Sequence, residues 1–206
     1  TYGAFALIVI FQPELRAGLA RLGRTRFFQA FSRLEQEEVM EQIAEAADRL
    51  AKAKIGGIIA IEQEVNLLNH VDHGTTLDAD LSTELLTTVF TPYSPLHDGA
   101  VIVKRDRIAN AGSVIPRLSE SPTVDRSLGT RHRAALGLSE ETDALVVVIS
   151  EETGQISLAH QGRLHRGLRP DELRRRLEAG GREQAAEAGA SAEPEVERSA
   201  ALPAEG

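Results

Sequence analysis

The feature that most constrains the fold is a continuous apolar stretch at residues 144–149, Ala-Leu-Val-Val-Val-Ile. The stretch is short and rich in β-branched side chains, which favours a β-strand that is buried on both faces over a helix. A strand of this kind needs cover on both sides of its sheet. The stretch therefore predicts a central sheet between layers of helices.

The rest of the chain alternates short apolar segments with amphipathic ones. Further strands are predicted at residues 58–61, 101–103, 108–115 and 156–159, and we expect residues 65–68 to continue the first of them after a turn. Helices are predicted from Ser32, which forms a capping box with Glu35, to Gly56, and at residues 82–90 and 170–177. Because some strands are joined as hairpins and others are separated by helices, we predict an α/β fold with α+β character. It is a single domain with a central mixed β-sheet covered by helices on both sides.

Three parts of the chain differ in composition. Residues 1–31 are predicted to be a membrane-proximal segment and linker, whose apolar run at residues 4–11 is either a buried strand or the end of a membrane-proximal helix. Residues 32–178 are predicted to form the folded domain. Residues 179–206 are rich in Ala, Glu, Gly and Pro, and we expect a disordered tail there because they bury little apolar surface.

The charge and composition exclude several functions. The chain has 23 Lys and Arg against 31 Asp and Glu, a net charge of −8, which argues against a general nucleic-acid-binding surface. It has no cysteine, so thiol nucleophiles and thiolate metal sites are excluded. Neither a P-loop nor a Rossmann glycine fingerprint occurs in the sequence.

Three polar clusters each follow a predicted strand or precede a helix or strand. They are His97-Asp98-Gly99, the Gly-Thr-Arg-His-Arg stretch at residues 129–133, and Ser150-Glu151-Glu152. Taken singly, they are also typical of a turn, a solvated helix cap and an exposed hairpin tip. Together they supply carboxylates for a divalent ion, and cations and backbone N–H groups for phosphate oxygens. The combination favours a site for a nucleotide phosphate with a metal ion.

At these clusters the chain resembles the diadenylate cyclases, the bacterial cyclic di-AMP synthases. The resemblance rests on Asp98-Gly99-Ala100 followed by the Arg-His-Arg of residues 131–133, and it extends to residues 11–16, 95–100 and 148–154 of the membrane-anchored class. It covers residues 4–177. It implies that two ATP molecules condense to cyclic 3′,5′-di-AMP and two pyrophosphates, with Mg²⁺ or Mn²⁺ as the cofactor.

The resemblance also implies how the protein is organised. Two catalytic domains meet face to face as a homodimer, each holding one ATP, so a lone monomer is expected to be inactive. Members of this class have transmembrane helices before the catalytic domain, which implies a location at the cytoplasmic face of the cell membrane.

The matching positions imply roles for individual residues. The catalytic residues are expected to be Asp98, Gly99, Arg131 and His132. The metal ligands are expected to be Asp98 and Glu152, with His97 as a third. The expected ATP-binding residues are Ile61, Leu96, Gly99, Ala100, Val114, Gly129, Thr130, Arg131, His132, Arg133, Ser150 and Glu151.

One position departs from the family. Related cyclases often have a tyrosine against the adenine where this chain has Val114, so we expect adenine to lie between Val114 and the Ile61 region, with less stacking. Tyr93 or a phenylalanine could supply the missing ring. Two other functions stay open: an ATP-binding sensor domain without catalysis, and a metal-dependent phosphohydrolase.

Overall fold

The computed structural model describes residues 26–72, 74–119 and 129–191. In this part the chain forms four α-helices: α1 Arg26–Ala53, α2 Thr83–Val89, α3 Thr130–Glu141 and α4 Pro170–Ser191. The strands are β1 Gly57–Glu62, β2 Thr75–Asp80, β3 Ala100–Lys104, β4 Arg107–Ser113, β5 Leu145–Ile149, β6 Ile156–His160 and β7 Arg163–Leu168. Within these described ranges no helix has the length and apolar character needed to cross a membrane.

The strands form one sheet in the order β2-β4-β3-β1-β5-β6-β7. β1 and β3 are parallel, while β1 pairs with β5 in antiparallel register. The β3–β4, β5–β6 and β6–β7 neighbours are antiparallel hairpins. The sheet is therefore mixed, as predicted, and β5 lies inside it with all five residues buried.

The two faces of the sheet carry separate apolar cores. On one face α1, α2 and α4 contribute residues such as Ile43, Leu86 and Leu173. On the other face α3 packs through Ala134, Ala135 and Leu138. The predicted fold class, a single α/β domain with helices on both sides of a mixed sheet, is confirmed.

Several element bounds differ from the predictions. α1 begins at Arg26, so Ser32 lies within the helix and does not cap it. Residues 65–68 do not continue β1, because the Glu62 carboxylate accepts a hydrogen bond from Leu67 N at 3.0 Å and a 3-10 turn, Leu67–Asn69, forms instead. α4 continues to Ser191, well past the expected helix end at residue 177 and into the segment expected to be disordered.

Other expectations concern residues outside the described ranges. The apolar run at residues 4–11 belongs to this group, as does the tail from residue 192. The division of the chain into an anchor-proximal segment, a catalytic domain and a tail stays a prediction.

Candidate active site

The sheet brings the predicted clusters to one edge. In the strand register Gly57 lies opposite Ile149, and Ile58 lies opposite Ala100. Ala100 is in turn paired with Ser113. The starts of β1 and β3 therefore lie beside the ends of β4 and β5, and these four neighbouring strands span about 14 Å at ordinary strand spacing. The residues just beyond this edge include Asp98, Gly99, Val114 and Ser150.

The first cluster forms a tight approach between two chain segments. Gly99 has φ +134°, and a β-carbon there would lie 2.7 Å from the carbonyl carbon of Gly112, so only glycine fits. Asp98 is exposed and Leu96 is half-buried. Ala100 is fully buried in β3. The Asp98 carboxylate is the group that this segment presents to solvent.

The second cluster begins α3. Gly129 is the N-cap residue and offers no side-chain hydrogen bond to the helix. Its carbonyl accepts from His132 N at 3.1 Å and from Arg133 N at 3.2 Å. Gly129 and Thr130 are both exposed. The start of α3 is therefore open to solvent at the positive end of the helix dipole, which is the end that favours an anion.

Arg131 connects the second cluster to the third. Its Nη1 lies 2.8 Å from Glu151 Oε2, and the two side chains are 30% and 58% exposed. The guanidinium also lies against Gly56, just before β1. The ion pair brings the helix start and the turn after β5 together, in agreement with the prediction that the two clusters belong to one site. The Glu151 carboxylate is engaged by a cation, which differs from the direct ATP contact expected for it.

His132 is placed differently from the expectation. The residue is 8% exposed, and its Nε2 lies 3.4 Å from Ser157 Oγ on β6. Burial, and secondarily the positive charge of Arg166, lower the pKa of the His132 imidazole. The helix turns this side chain towards the sheet, where the ring joins α3 to β6. The expected role of His132 in binding phosphate stays a prediction.

Arg133 lies on another side of α3. It lines a cleft of about 630 Å³ together with Asn69, His70, Asp72, Pro116, Arg117, Leu118 and Glu141. Within the cleft Arg117 forms an ion pair with Glu141, whose other carboxylate oxygen lies 3.7 Å from His70 Nδ1. Arg131 and Arg133 therefore face different surroundings, and Arg131 is the arginine at the sheet edge.

The third cluster is a hydrogen-bonded turn after β5. Ser150 O accepts from Gly154 N at 2.9 Å, and Ser150 Oγ accepts from Thr153 N at 3.3 Å. The Ser150 hydroxyl keeps its own proton for donation to a ligand. Glu152 is exposed on this turn.

His97 has the hydrogen bond that orients a metal-binding imidazole. Its Nδ1 lies 2.5 Å from the Ser94 carbonyl oxygen. Because a carbonyl oxygen can only accept a hydrogen bond, Nδ1 must carry the proton, and the neutral tautomer then has its lone pair on Nε2. Asp98 follows directly. In the described ranges, however, no group of three or more His, Asp or Glu side chains is gathered for a metal ion. His97, Asp98 and Glu152 do not form a closed cage in one chain.

Of the two residues expected to contact adenine, Val114 lies at the site edge and Ile61 does not. Val114 is 47% exposed just beyond the end of β4, where its backbone exchanges two hydrogen bonds with Asp72. Ile61 is 2% exposed and belongs to the core under α1. It pairs with Val103 and Leu145, near the end of β1 that is away from the site edge. We therefore correct the prediction for Ile61, because a side chain sealed in the core cannot contact adenine.

Gly56 is a site residue that the sequence analysis missed. The sequence indicated only a helix stop at this position, whereas the structure puts Gly56 in contact with Arg131 and Glu151. The signal that could have found it is the Gly-Gly pair directly before a buried strand, since glycine in such a place often marks a close approach of another group.

Comparison with known proteins gives this site its context. Residues 44–164 match the family model DAC, described as DisA bacterial checkpoint controller nucleotide-binding. The chain is 47% identical over 182 residues to the cyclic di-AMP synthase CdaA of Bacillus subtilis, covering 87% of this chain and 66% of that protein. It is 46% identical over 180 residues to a diadenylate cyclase of Listeria monocytogenes, with 86% and 66% covered.

Two solved structures are also similar. The crystal structure of a double mutant of DacA from Staphylococcus aureus superposes with a TM-score of 0.67 at 42% identity, covering 70% of this chain and 96% of that one. A hypothetical membrane spanning protein from Bacillus cereus superposes with a TM-score of 0.61 at 40% identity, covering 78% and 79%.

The fold and its polar edge, together with these matches, define a class, the nucleotide-binding α/β domains. Within that class, the chain belongs to the diadenylate cyclase family, and the described domain is a catalytic domain of that type. The chain spans 66% of the length of the Bacillus and Listeria relatives.

Proposed function

We propose that this protein condenses two ATP molecules into cyclic 3′,5′-di-AMP and releases two pyrophosphates. The observation that carries the proposal is the single sheet edge that holds Asp98, the start of α3 and the turn at Ser150 side by side, in a chain of this family. In each half-reaction a 3′-hydroxyl oxygen bonds to the α-phosphorus of the other ATP. The bond from that phosphorus to the β-phosphate bridging oxygen breaks, and the hydroxyl proton is released.

The roles of the residues follow from the charges they present. The N–H groups of the first turn of α3, with Thr130 and Arg131, bind the triphosphate, and Ser150 donates a hydrogen bond to it. The exposed Asp98 carboxylate lies beside the attacking ribose hydroxyl. Val114 provides the apolar wall for adenine. These groups orient the two reactants and neutralise charge at the α-phosphate, which can supply most of the acceleration in a phosphoryl-type transfer.

Asp98 is the proposed main ligand of a Mg²⁺ or Mn²⁺ ion, with His97 and Glu152 as further ligands. The residues present fit such an ion: His97 has its Nε2 lone pair free to bind, and Mg²⁺ is commonly held by one or two carboxylates together with substrate phosphates and water. When bound, the ion lowers the pKa of the attacking hydroxyl and offsets phosphate charge.

Catalysis is proposed to need two copies of the chain. Each domain holds one ATP at its open edge, and two edges meet face to face so that each ribose hydroxyl reaches the other α-phosphate. The exposure of Asp98, Thr130 and Glu152 at this edge supports a site that is open to a second chain.

The whole protein is proposed to be membrane-anchored, with this domain at the cytoplasmic face where ATP is available. Two observations support this proposal. A similar solved structure is described as a membrane spanning protein, and the Bacillus and Listeria relatives extend beyond the part that this chain matches.

The direct test is incubation with ATP and Mg²⁺ or Mn²⁺, followed by mass analysis of the products. Cyclic di-AMP and pyrophosphate in a 1:2 ratio support the proposal. ATP binding without turnover indicates a sensor domain, and ADP or AMP indicates a phosphohydrolase; either result would reject the cyclase.

A further inference from the structure

Arg131 is the cation at the sheet edge, and its long side chain needs something to hold it in place. The structure provides a carboxylate and a surface for it. Glu151 Oε2 lies 2.8 Å from Arg131 Nη1. On the other side the guanidinium lies over Gly56, where a β-carbon would be 2.9 Å from Nη1 and 3.1 Å from Cζ.

The glycine at position 56 is required by space and not by backbone conformation. Gly56 is not among the residues with positive φ, so an alanine could adopt its backbone angles. The added methyl group would nevertheless meet the guanidinium at 2.9 Å and Glu151 Cβ at 3.1 Å, closer than packed carbon and nitrogen atoms approach. It would push apart the two residues that form the ion pair.

We propose that Gly56 and Glu151 are positioning residues that hold Arg131 in its phosphate-binding orientation, an inference that rests on the proposed function. Glu151 takes one N–H of the guanidinium fork, which leaves the others for phosphate oxygens. Gly56 has no side chain, so the planar guanidinium of Arg131 can lie directly against its backbone. Because the orientation exists before ATP arrives, binding costs less side-chain ordering than it would with a free arginine.

The orientation also explains why a carboxylate occurs next to the expected phosphate site. An unpaired Glu151 carboxylate would repel the triphosphate, whereas a Glu151 carboxylate that is paired with Arg131 orients the arginine towards it. The two interpretations predict opposite effects when the carboxylate is removed. Glu151→Ala is expected to weaken ATP binding about tenfold, by loss of one charge-assisted orienting bond, and Glu151→Gln is expected to retain most of the affinity. Tighter ATP binding by Glu151→Ala would overturn the proposal.

The decisive experiment is a double-mutant cycle with Gly56→Ala and Arg131→Ala. Two quantities are measured without turnover: the dissociation constant for ATP by calorimetry in the absence of divalent metal, and the midpoint of thermal unfolding. In the wild-type background Gly56→Ala is expected to weaken ATP binding about tenfold and to lower the midpoint. In the Arg131→Ala background Gly56→Ala is expected to leave ATP affinity unchanged and to lower the midpoint less, because the contact with the guanidinium is gone and only the 3.1 Å contact with Glu151 Cβ remains.

Gly181→Ala in α4 is the matched control, since a β-carbon there has no neighbour within 4 Å, and it is expected to leave ATP affinity unchanged. Equal losses from Gly56→Ala in both backgrounds, or wild-type ATP affinity in Gly56→Ala, would overturn the inference. Failure to form cyclic di-AMP would reject the proposed function instead, because neither measurement in the cycle depends on product.

Discussion

Three consecutive residues of α3 have three different surroundings. Arg131 lies at the sheet edge with Glu151, while His132 is enclosed against Ser157 and Arg133 lines a separate cleft. A helix separates consecutive side chains by about 100° around its axis, so neighbours in sequence cannot all face one ligand. The Arg-His-Arg stretch therefore combines a cation at the sheet edge, which we propose binds phosphate, with a side chain that joins the helix to the sheet.

Asp98 is expected to be needed for catalysis and not for folding. We predict that Asp98→Asn lowers the rate of cyclic di-AMP formation at least about 100-fold, because charge stabilisation at the reacting centre is lost. The side chain is exposed, so the unfolding midpoint should not change. Asp106→Asn, at an exposed position in the turn between β3 and β4, is the control. Full activity in Asp98→Asn would remove this carboxylate from the mechanism.

Tyr93 stores strain in the loop before Asp98. It has φ +74° and is 98% exposed, a conformation that costs a bulky residue of order 1 kcal/mol or more. Asparagine tolerates this conformation better, so Tyr93→Asn should raise the free energy of unfolding by about 1 kcal/mol in urea titrations. Tyr93→Ala keeps the strain and should gain less. Equal stability of the two variants would contradict the strain argument.

The stability of the protein should depend on pH through His132. Burial lowers the pKa of its imidazole, so just below the ordinary value of about 6.5 the unfolded chain binds more protons than the folded one. The stability that the neutral His132 imidazole contributes is therefore complete above about pH 6.5, and it is lost as the pH falls below that value. We expect the unfolding midpoint to drop between pH 7.5 and pH 5.5, and to drop less in His132→Asn.

His165 provides the comparison for this prediction. Burial, and then the charges of Arg176 and Arg163, lower the pKa of its imidazole too, so His165→Asn should also reduce the drop. A wild-type midpoint that rises on acidification, or an identical drop in both variants and the wild type, would show that buried neutral histidines do not set the pH dependence.

At the scale of elements, the turn after β5 is held against the end of α1. Gly154 has φ +69°, and a β-carbon there would lie 2.6 Å from the Ala51 carbonyl oxygen. Gly167 has φ +66° with no neighbour within 4 Å of that position. The two glycines have the same backbone requirement, and only Gly154 is in a close contact.

We predict that Gly154→Ala destabilises the fold by about 1–3 kcal/mol more than Gly167→Ala, since overpacking adds to the shared backbone strain. Chemical denaturation of both variants measures the difference. Because Glu152 is on the same turn, cyclase activity should fall in Gly154→Ala and not in Gly167→Ala. Equal destabilisation of the two would mean that the turn is not anchored on α1.

The elements that sequence could predict were those with an unambiguous apolar pattern. The residues of β1, β3 and β5 are buried almost throughout, and Val39, Ile43 and Leu50 of the predicted helix lie in the core. β2 and β7 were missed because they are the two outer strands of the sheet, and at least half of the residues in each are exposed. An outer strand needs little apolar character, so its pattern resembles that of a polar loop.

The site could be predicted only where a local pattern of residue types encodes it. The residue types of His97-Asp98-Gly99 and of residues 129–133 indicate phosphate and metal chemistry before any contact is known. The contact between Gly56 and Arg131 joins residues 75 positions apart, and no local pattern encodes it. The enclosure of His132 and Ile61 also depends on which side of the sheet each element covers.

On the scale of the whole molecule, the expected function depends on an edge that one chain leaves open. Asp98, Thr130 and Glu152 are all exposed there. A reaction that joins two identical nucleotides through two equivalent bonds suits a two-fold pair of such edges. The central claim is therefore that this domain makes cyclic di-AMP and does so only when two copies meet.

The most direct test measures the initial rate of cyclic di-AMP formation, by mass analysis at saturating ATP with Mn²⁺ or Mg²⁺, over a series of protein concentrations. We predict cyclic di-AMP as the product and a rate per chain that rises with protein concentration until the pair is formed. A rate per chain that does not change with concentration for a protein shown to be monomeric would contradict the face-to-face pair, and products other than cyclic di-AMP would contradict the cyclase itself.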